Sequence, residues 1–154
     1  MTDCILQVED DENDILLLEH ACQQAELPPI FKIASDGQEA IEYLSGEGKF
    51  ADRARYPIPR LVLLDLKMPR KDGFEVLEWI RRHPTLKWLV VIMFTSSAQP
   101  RDVNAAYELG VNSFIVKPSR VEERILFVRS LYQWWCHFNL LPNEVPSPAS
   151  VEPG

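Results

Sequence analysis

LVLLDLKMPRKDG, Leu61–Gly73, is the stretch that decides how this chain folds. Leu61, Val62, Leu63 and Leu64 are apolar and run straight into a carboxylate, Asp65. A near-continuous apolar run of this length suits a parallel strand buried on both faces. Met68-Pro69 and Asp72-Gly73 then mark a loop, and a helical pattern follows at once. Asp65 is therefore expected at the carboxyl end of a central strand, where open α/β sheets place their ligands. Most aspartates lie in solvated loops, so the rest of the chain has to decide whether this one is chemical.

Upstream, Ile5–Val8 reads as a short strand that ends in Glu9, Asp10, Asp11 and Glu12. Asn13 or a neighbouring acid can cap the helix that follows, because acids favour its positive end. Ile15, Leu18, Cys22 and Ala25 repeat at helical spacing until Leu27-Pro28-Pro29 stops them. Ile30–Ala34 predicts a second strand, and Ser35-Asp36-Gly37 turns into a helix over about Gln38–Leu44. Ser45–Arg60 is a long connection, of the kind that is often functional, and contact with a partner is one reading of it. Its Gly48-Lys49 pair is no nucleotide loop: Tyr43 stands where a first glycine is needed, and Phe50 follows the lysine.

Downstream, a helix is predicted over about Phe74–His83 and a strand over Leu89–Phe94, leading to Thr95-Ser96-Ser97. Pro100 suits the first turn of a helix closed by Gly110. Ser113–Val116 reads as the last strand, followed by Lys117-Pro118 and a helix over about Val121–Phe138. Five strands alternating with helices predict a three-layer α/β fold with a parallel sheet. Residues 1–140 form the expected domain, and the Pro-rich stretch 141–154 an unstructured tail with no further domain after it.

Composition narrows the function. Of 154 residues, 46% are hydrophobic and 25% charged, which fits a globular chain in water. A net charge of −7 argues against nucleic-acid or anionic-membrane binding. No apolar run approaches the roughly 20 residues of a membrane span, and the start has no signal-peptide pattern. Three scattered cysteines read as reduced, so a cytoplasmic location is expected. The three histidines lack metal-ligand spacing.

The strand ends carry the chemistry: Glu9-Asp10 after the first strand, Asp65 after the third, Thr95 after the fourth and Lys117 after the fifth. In a parallel sheet these all lie along one edge. Two carboxylates about 4 Å apart repel by about 4 kcal/mol at an effective dielectric of 20. Three together call for raised pKa values or a cation, and a hard divalent ion such as Mg²⁺ suits an all-oxygen site. A lysine and a hydroxyl opposite the acids suit a phosphoryl group.

VEDD (Val8–Asp11), LVLLDLKMP with Asp72-Gly73, FTSS (Phe94–Ser97) and FIVKP (Phe114–Pro118), in this order, resemble the signatures of two-component response-regulator receiver domains. The resemblance covers about residues 4–138 and implies a flavodoxin-like five-stranded parallel sheet, order 2-1-3-4-5. It makes Asp65 the phosphoryl acceptor, with Mg²⁺ (or Mn²⁺) held by Glu9, Asp10, Asp65 and the backbone carbonyl of Lys67. It gives Thr95 and Lys117 the phosphoryl oxygens, makes Thr95 and Phe114 the switch pair, and implies a cis Lys117-Pro118 bond. Lys67 and Ser97 flank the path of attacking water. Within the family, the long loop before the third strand and the aromatic last helix are similar to the single-domain regulators that partner bacterial, especially cyanobacterial, phytochrome histidine kinases. The implied partners are such a kinase and a downstream protein or phosphotransfer protein. The implied chemistry is not that of an enzyme beyond self-phosphorylation and self-dephosphorylation.

On the last helix, Phe127, Leu131, Trp134 and Phe138 form one stripe, and Val128, Tyr132 and Trp135 a second. Together they exceed one core-facing face. A homodimer through the last two helices and last strand is expected to cover the excess, with Tyr132, Trp134, Trp135 and Phe138 as interface candidates. Three other readings fare worse. An aspartate-nucleophile phosphatase of the haloacid-dehalogenase kind needs a second Asp where Lys67 stands. A flavodoxin needs a hydroxyl-rich phosphate loop where EDDEND stands. A phosphorylation-independent interaction module would not require a complete site.

Overall fold

The register of one parallel sheet brings residues from five separate segments to a single edge. The computed structural model describes residues 5–142. Its strands are β1 (Ile5–Val8), β2 (Phe31–Ala34), β3 (Leu61–Leu64), β4 (Val90–Thr95) and β5 (Ser113–Val116), in the order β2-β1-β3-β4-β5. Helices α1 (Glu12–Gln24), α2 (Gly37–Ser45), α3 (Gly73–Arg82), α4 (Pro100–Glu108) and α5 (Val121–Leu131) connect and cover them. This is the flavodoxin-like arrangement that the sequence implied.

Alternation along the strands splits the core in two. Leu6, Val8, Val62, Leu64, Val91 and Met93 pack with α2, α3 and α4. Ile5, Leu61, Leu63, Val90, Ile92 and Phe94 pack with α1 and α5. All four residues of β3 are buried, as its unbroken apolar run requires. Each such leucine contributes about 1.5–3 kcal/mol relative to exposure.

Aspartates start three of the helices. Asp11, Asp36 and Asp72 accept hydrogen bonds from the backbone N–H groups of Asn13, Glu39 and Glu75 at 2.8–2.9 Å. Each satisfies a donor that the first helical turn leaves without a partner. At Gly73, an added Cβ would fall 2.5 Å from the Asp65 carbonyl oxygen, so α3 can begin there only without a side chain.

The 45–60 connection is an ordered structure. It contains a 3₁₀ turn, Gly48–Ala51, and Phe50 is buried against Tyr43 and Tyr56. Arg53 donates to the carbonyls of Tyr43 and Leu44, and the Tyr43 hydroxyl donates to the carbonyl of Pro57. The loop thus closes the C-terminal end of α2.

The last helix departs from the sequence expectation. It is α-helical only to Leu131 and continues as a π-helix, Tyr132–Phe138. The wider turn shifts the phase of everything beyond Leu131. Phe127 stacks on Phe94, with ring centroids 4.9 Å apart and planes 5° from parallel, and Leu131 is buried. Their expected stripe partners Trp134 and Phe138 are instead 61% and 68% exposed. Tyr132 and Trp135 lie against the α1/α5 side of the core. Arg60 donates to the carbonyls of Trp135 and Asn139, meeting acceptors that this irregular helix leaves over.

Two smaller expectations also change. Leu141 is buried in the core, so packing extends one residue beyond the expected domain boundary. The Lys117-Pro118 bond is trans, and no cis bond occurs among the described residues. The trans form is the lower in energy by about 0.5–1 kcal/mol for an X–Pro bond, and with it the Lys117 ammonium already reaches the acidic cluster. Cys4 and residues 143–154 lie outside the described residues.

Candidate functional site

Residues that follow paired strand positions end up side by side. Val8 pairs with both Ala34 and Leu64, so Glu9 and Asp65 leave neighbouring strands together. The Asp65 N–H donates to the Val8 carbonyl, and the Lys117 N–H to the Thr95 carbonyl. The ladder hydrogen bonding therefore runs one residue past the strand ends and fixes the backbones of the functional residues.

The side chains converge on a cleft of about 520 Å³ lined by Glu9, Asp10, Asp14, Asp65, Thr95 and Lys117. Oxygens of Glu9, Asp10 and Asp65 all lie within 4.8 Å of one another. The Lys117 ammonium donates to Glu9 Oε1 at 2.5 Å, to Asp14 Oδ2 at 2.7 Å and to Asp65 Oδ2 at 3.3 Å. The other Asp65 oxygen accepts the Leu66 backbone N–H at 2.7 Å. One oxygen of Asp65 is thus fixed by the backbone, and the other faces the lysine.

Burial and like charge act on Glu9. It is 1% exposed, and burial, then the Asp65 carboxylate, push its pKa up to about 8 against the pull of Lys117. For Lys117, burial works against the charge, but hydrogen bonds to Asp14 and Glu9 and attraction to Asp65 outweigh it. Its pKa is held above the usual lysine range, so the ammonium is a fixed positive charge.

Thr95 is buried, and its Oγ1 accepts the Ser97 N–H at 3.3 Å. The Ser97 hydroxyl donates to Asp102 at 2.5 Å, tying the strand end to the first turn of α4. Phe114 is half-buried and packs on the α2–α4 side of the core. Lys67 is exposed at the rim of the cleft. All the residues expected at the acceptor and cation site are therefore brought together, with Phe114 one strand away from Thr95. Sequence reasoning did not single out Asp14, which stands on the first turn of α1. No helical spacing could flag it, because Glu9 and Asp10 precede α1, and the contact with Lys117 is made only by the fold.

The donor set fits a hard divalent cation: three carboxylates supply only oxygen, and there is no thiolate or imidazole among them. A larger groove between α2 and α3, about 710 Å³, mixes Lys71 and Arg82 with Glu75 and Glu78 and gathers no such cluster.

A family model for the response regulator receiver domain matches residues 5–128. The chain is a response-regulator receiver domain. This receiver is 34% identical over 138 residues to response regulator Rcp1 of Synechocystis, covering 90% of this chain and 92% of that one. A crystal structure of Rcp1 in an Mn²⁺-bound form superposes on this receiver with a TM-score of 0.77, 34% identity and coverage of 91% and 99%. Response regulator RPA3017, in red light signaling of R. palustris, gives a TM-score of 0.84 at 35% identity, covering 91% of this chain and 98% of that one. The phosphorylated cyanobacterial phytochrome response regulator RcpA gives 0.82 at 34% identity, covering 92% and 99%. The receiver is thus similar to regulators of phytochrome signalling over nearly its full described length. No helix among the described residues is long and apolar enough to cross a membrane.

Proposed function

We propose that this receiver accepts a phosphoryl group on Asp65 Oδ2 from the phosphohistidine of a phytochrome-type sensor histidine kinase in the cytoplasm. The observation that carries this reading is the single ammonium of Lys117 set against Asp65 Oδ2 beside the Glu9–Asp10–Asp65 oxygens. In the transfer, the Asp65 oxygen forms a bond to phosphorus as the imidazole N–P bond breaks, and the imidazole leaves with the electron pair. Lys117 and the Thr95 hydroxyl take up the phosphoryl oxygens, and the Leu66 N–H orients the carboxylate. Mg²⁺ or Mn²⁺ would be held by Glu9, Asp10, Asp65 and the Lys67 carbonyl, and supplies charge neutralisation between acceptor and phosphoryl oxygens.

An acyl phosphate of about −2 in place of the Asp65 carboxylate, with its charge now on the outer oxygens, draws Thr95 and Lys117 inward. That motion shifts an existing equilibrium of Phe114 and the α4–β5–α5 surface. The signal passes to a downstream protein or phosphotransfer protein. By itself the site performs at most self-phosphorylation and self-dephosphorylation. Exposed Trp134 and Phe138 support a homodimer through the C-terminal helix.

The test is to incubate the full chain with Mg²⁺ and a small phosphodonor and to read intact mass and oligomeric state together. A one-phosphoryl mass gain that Asp65→Asn abolishes is expected. Labelling that survives Asp65→Asn moves the acceptor elsewhere.

A further inference from the structure

Asp14 belongs to neither of the groups that the phosphoacceptor reading uses. Its carboxylate lies outside the Glu9–Asp10–Asp65 trio of possible cation ligands, and its contact with the site runs through the Lys117 ammonium at 2.7 Å. An ammonium has three protons. Here they point at three carboxylates, those of Glu9, Asp14 and Asp65. The ammonium sits closer to Glu9 and Asp14, at 2.5 and 2.7 Å, than to Asp65 Oδ2 at 3.3 Å, so following a phosphoryl group on Asp65 would draw it away from one of the two nearer partners.

Exposure decides which one. The Glu9 side chain is 2% exposed, and uncoupling it would leave a buried carboxyl group without its hydrogen-bond partner where water cannot replace it. Asp65 carries the incoming group. Asp14 is 26% exposed and stands on the first turn of α1, so water can take over its hydrogen bond at least cost.

We propose that Asp14 is a positioning residue that parks the Lys117 ammonium on α1 and releases it to the phosphoryl group. This rests on Asp65 being the acceptor. Asp14 therefore sets how strongly the resting site resists phosphorylation.

The probe is beryllofluoride with Mg²⁺, a phosphoryl mimic, titrated into the full chain and followed by fluorine NMR. Asp14→Asn is expected to bind it about threefold to tenfold more tightly, with Asp14→Glu near the parent. In a Lys117→Ala background, Asp14→Asn should change binding by less than about twofold. In the parent, the Asp14 carboxyl carbon resonance should move toward that of a solvated aspartate as the probe binds. This readout does not depend on Lys117→Ala retaining affinity. Unchanged or weaker binding in Asp14→Asn, an equal gain without Lys117, or a stationary Asp14 resonance would each overturn the proposal. A parent chain that neither binds the probe nor is labelled overturns the acceptor role of Asp65 itself, which is a separate result.

Discussion

Gly73 lies directly against the backbone of Asp65: a Cβ there would sit 2.5 Å from the Asp65 carbonyl oxygen and 2.9 Å from Leu66 Cα. The start of α3 and the acceptor segment therefore share one packing contact, and the Gly73 N–H donates to the Leu66 carbonyl at 2.8 Å. Gly73→Ala should cost about 1–3 kcal/mol through forced backbone movement. It should also slow Asp65 labelling, because the displaced backbone carries the Leu66 N–H that orients the acceptor. Urea unfolding and phosphodonor labelling check both. Normal labelling in a destabilised variant would uncouple the two.

Glu9 ties cation binding to pH. Its folded pKa of about 8 lies above the ordinary 4.5, so between these values the folded chain holds a proton that the unfolded chain has lost. That proton favours folding at low pH, and the benefit fades as pH rises toward 8. A divalent cation must displace it, so apparent Mg²⁺ affinity should rise with pH up to about 8, by at most about tenfold per pH unit, and then level. Glu9→Gln should flatten the profile. Calorimetric titration on either side of neutrality decides, and equal affinities in the parent would refute the coupling.

Asp36 holds α2 from below the usual carboxylate range. Burial opposes its charge, but the hydrogen bonds from Arg70 and the Glu39 N–H outweigh that and depress its pKa. A depressed carboxylate stabilises above its ordinary pKa, and the contribution disappears as pH falls through the folded value. Asp36→Ala should cost about 1–2 kcal/mol at neutral pH, mostly through the lost helix cap. The gap from the parent should narrow as pH falls below about 4 and through the lower folded value, by the share that depends on charge. Stability curves at neutral and acid pH test this; a gap undiminished in acid would mean that the charge of Asp36 contributes nothing.

The aromatic C-terminal segment separates fold from assembly. Trp134→Ala and Phe138→Ala should each leave monomer stability within about 0.5 kcal/mol, since both rings face water. Both should shift a dimer toward monomer in light scattering. Trp135→Ala should instead cost about 2–3 kcal/mol, because that ring packs on the chain's own core. If Trp134→Ala unfolds the chain, the exposed ring has a structural role that its surroundings do not show.

The fold was legible because its signals are local. The apolar run Leu61–Leu64 is a fully buried strand. The turns at Asp36-Gly37 and Asp72-Gly73 lead into helices, and the closing Gly110, at φ +96°, follows α4, where the turn residues placed them. Helix and strand ends moved by one or two residues. The strand-end acids, Thr95 and Lys117 were legible too, since parallel strands must deliver their ends to one edge. The π-helix was not. Stripes drawn at α-helical spacing pair Leu131 with Trp134, and a change of winding at Tyr132 puts one inside and the other outside.

By itself the sequence determined the alternation of elements and the polar residue that closes each strand, which contiguous residues encode, while the order of the sheet came from the resemblance to receiver domains. Only the tertiary structure decided that Lys117 meets Asp14, 103 positions away. It also decided that Arg60 supports the π-helix from 75 positions back, and that Gly73 leaves room for the acceptor backbone. Those contacts depend on where α1, α3 and the last helix come to rest on the sheet. That placement is set by side-chain volumes packing on both faces together, and no periodicity within a single segment records it.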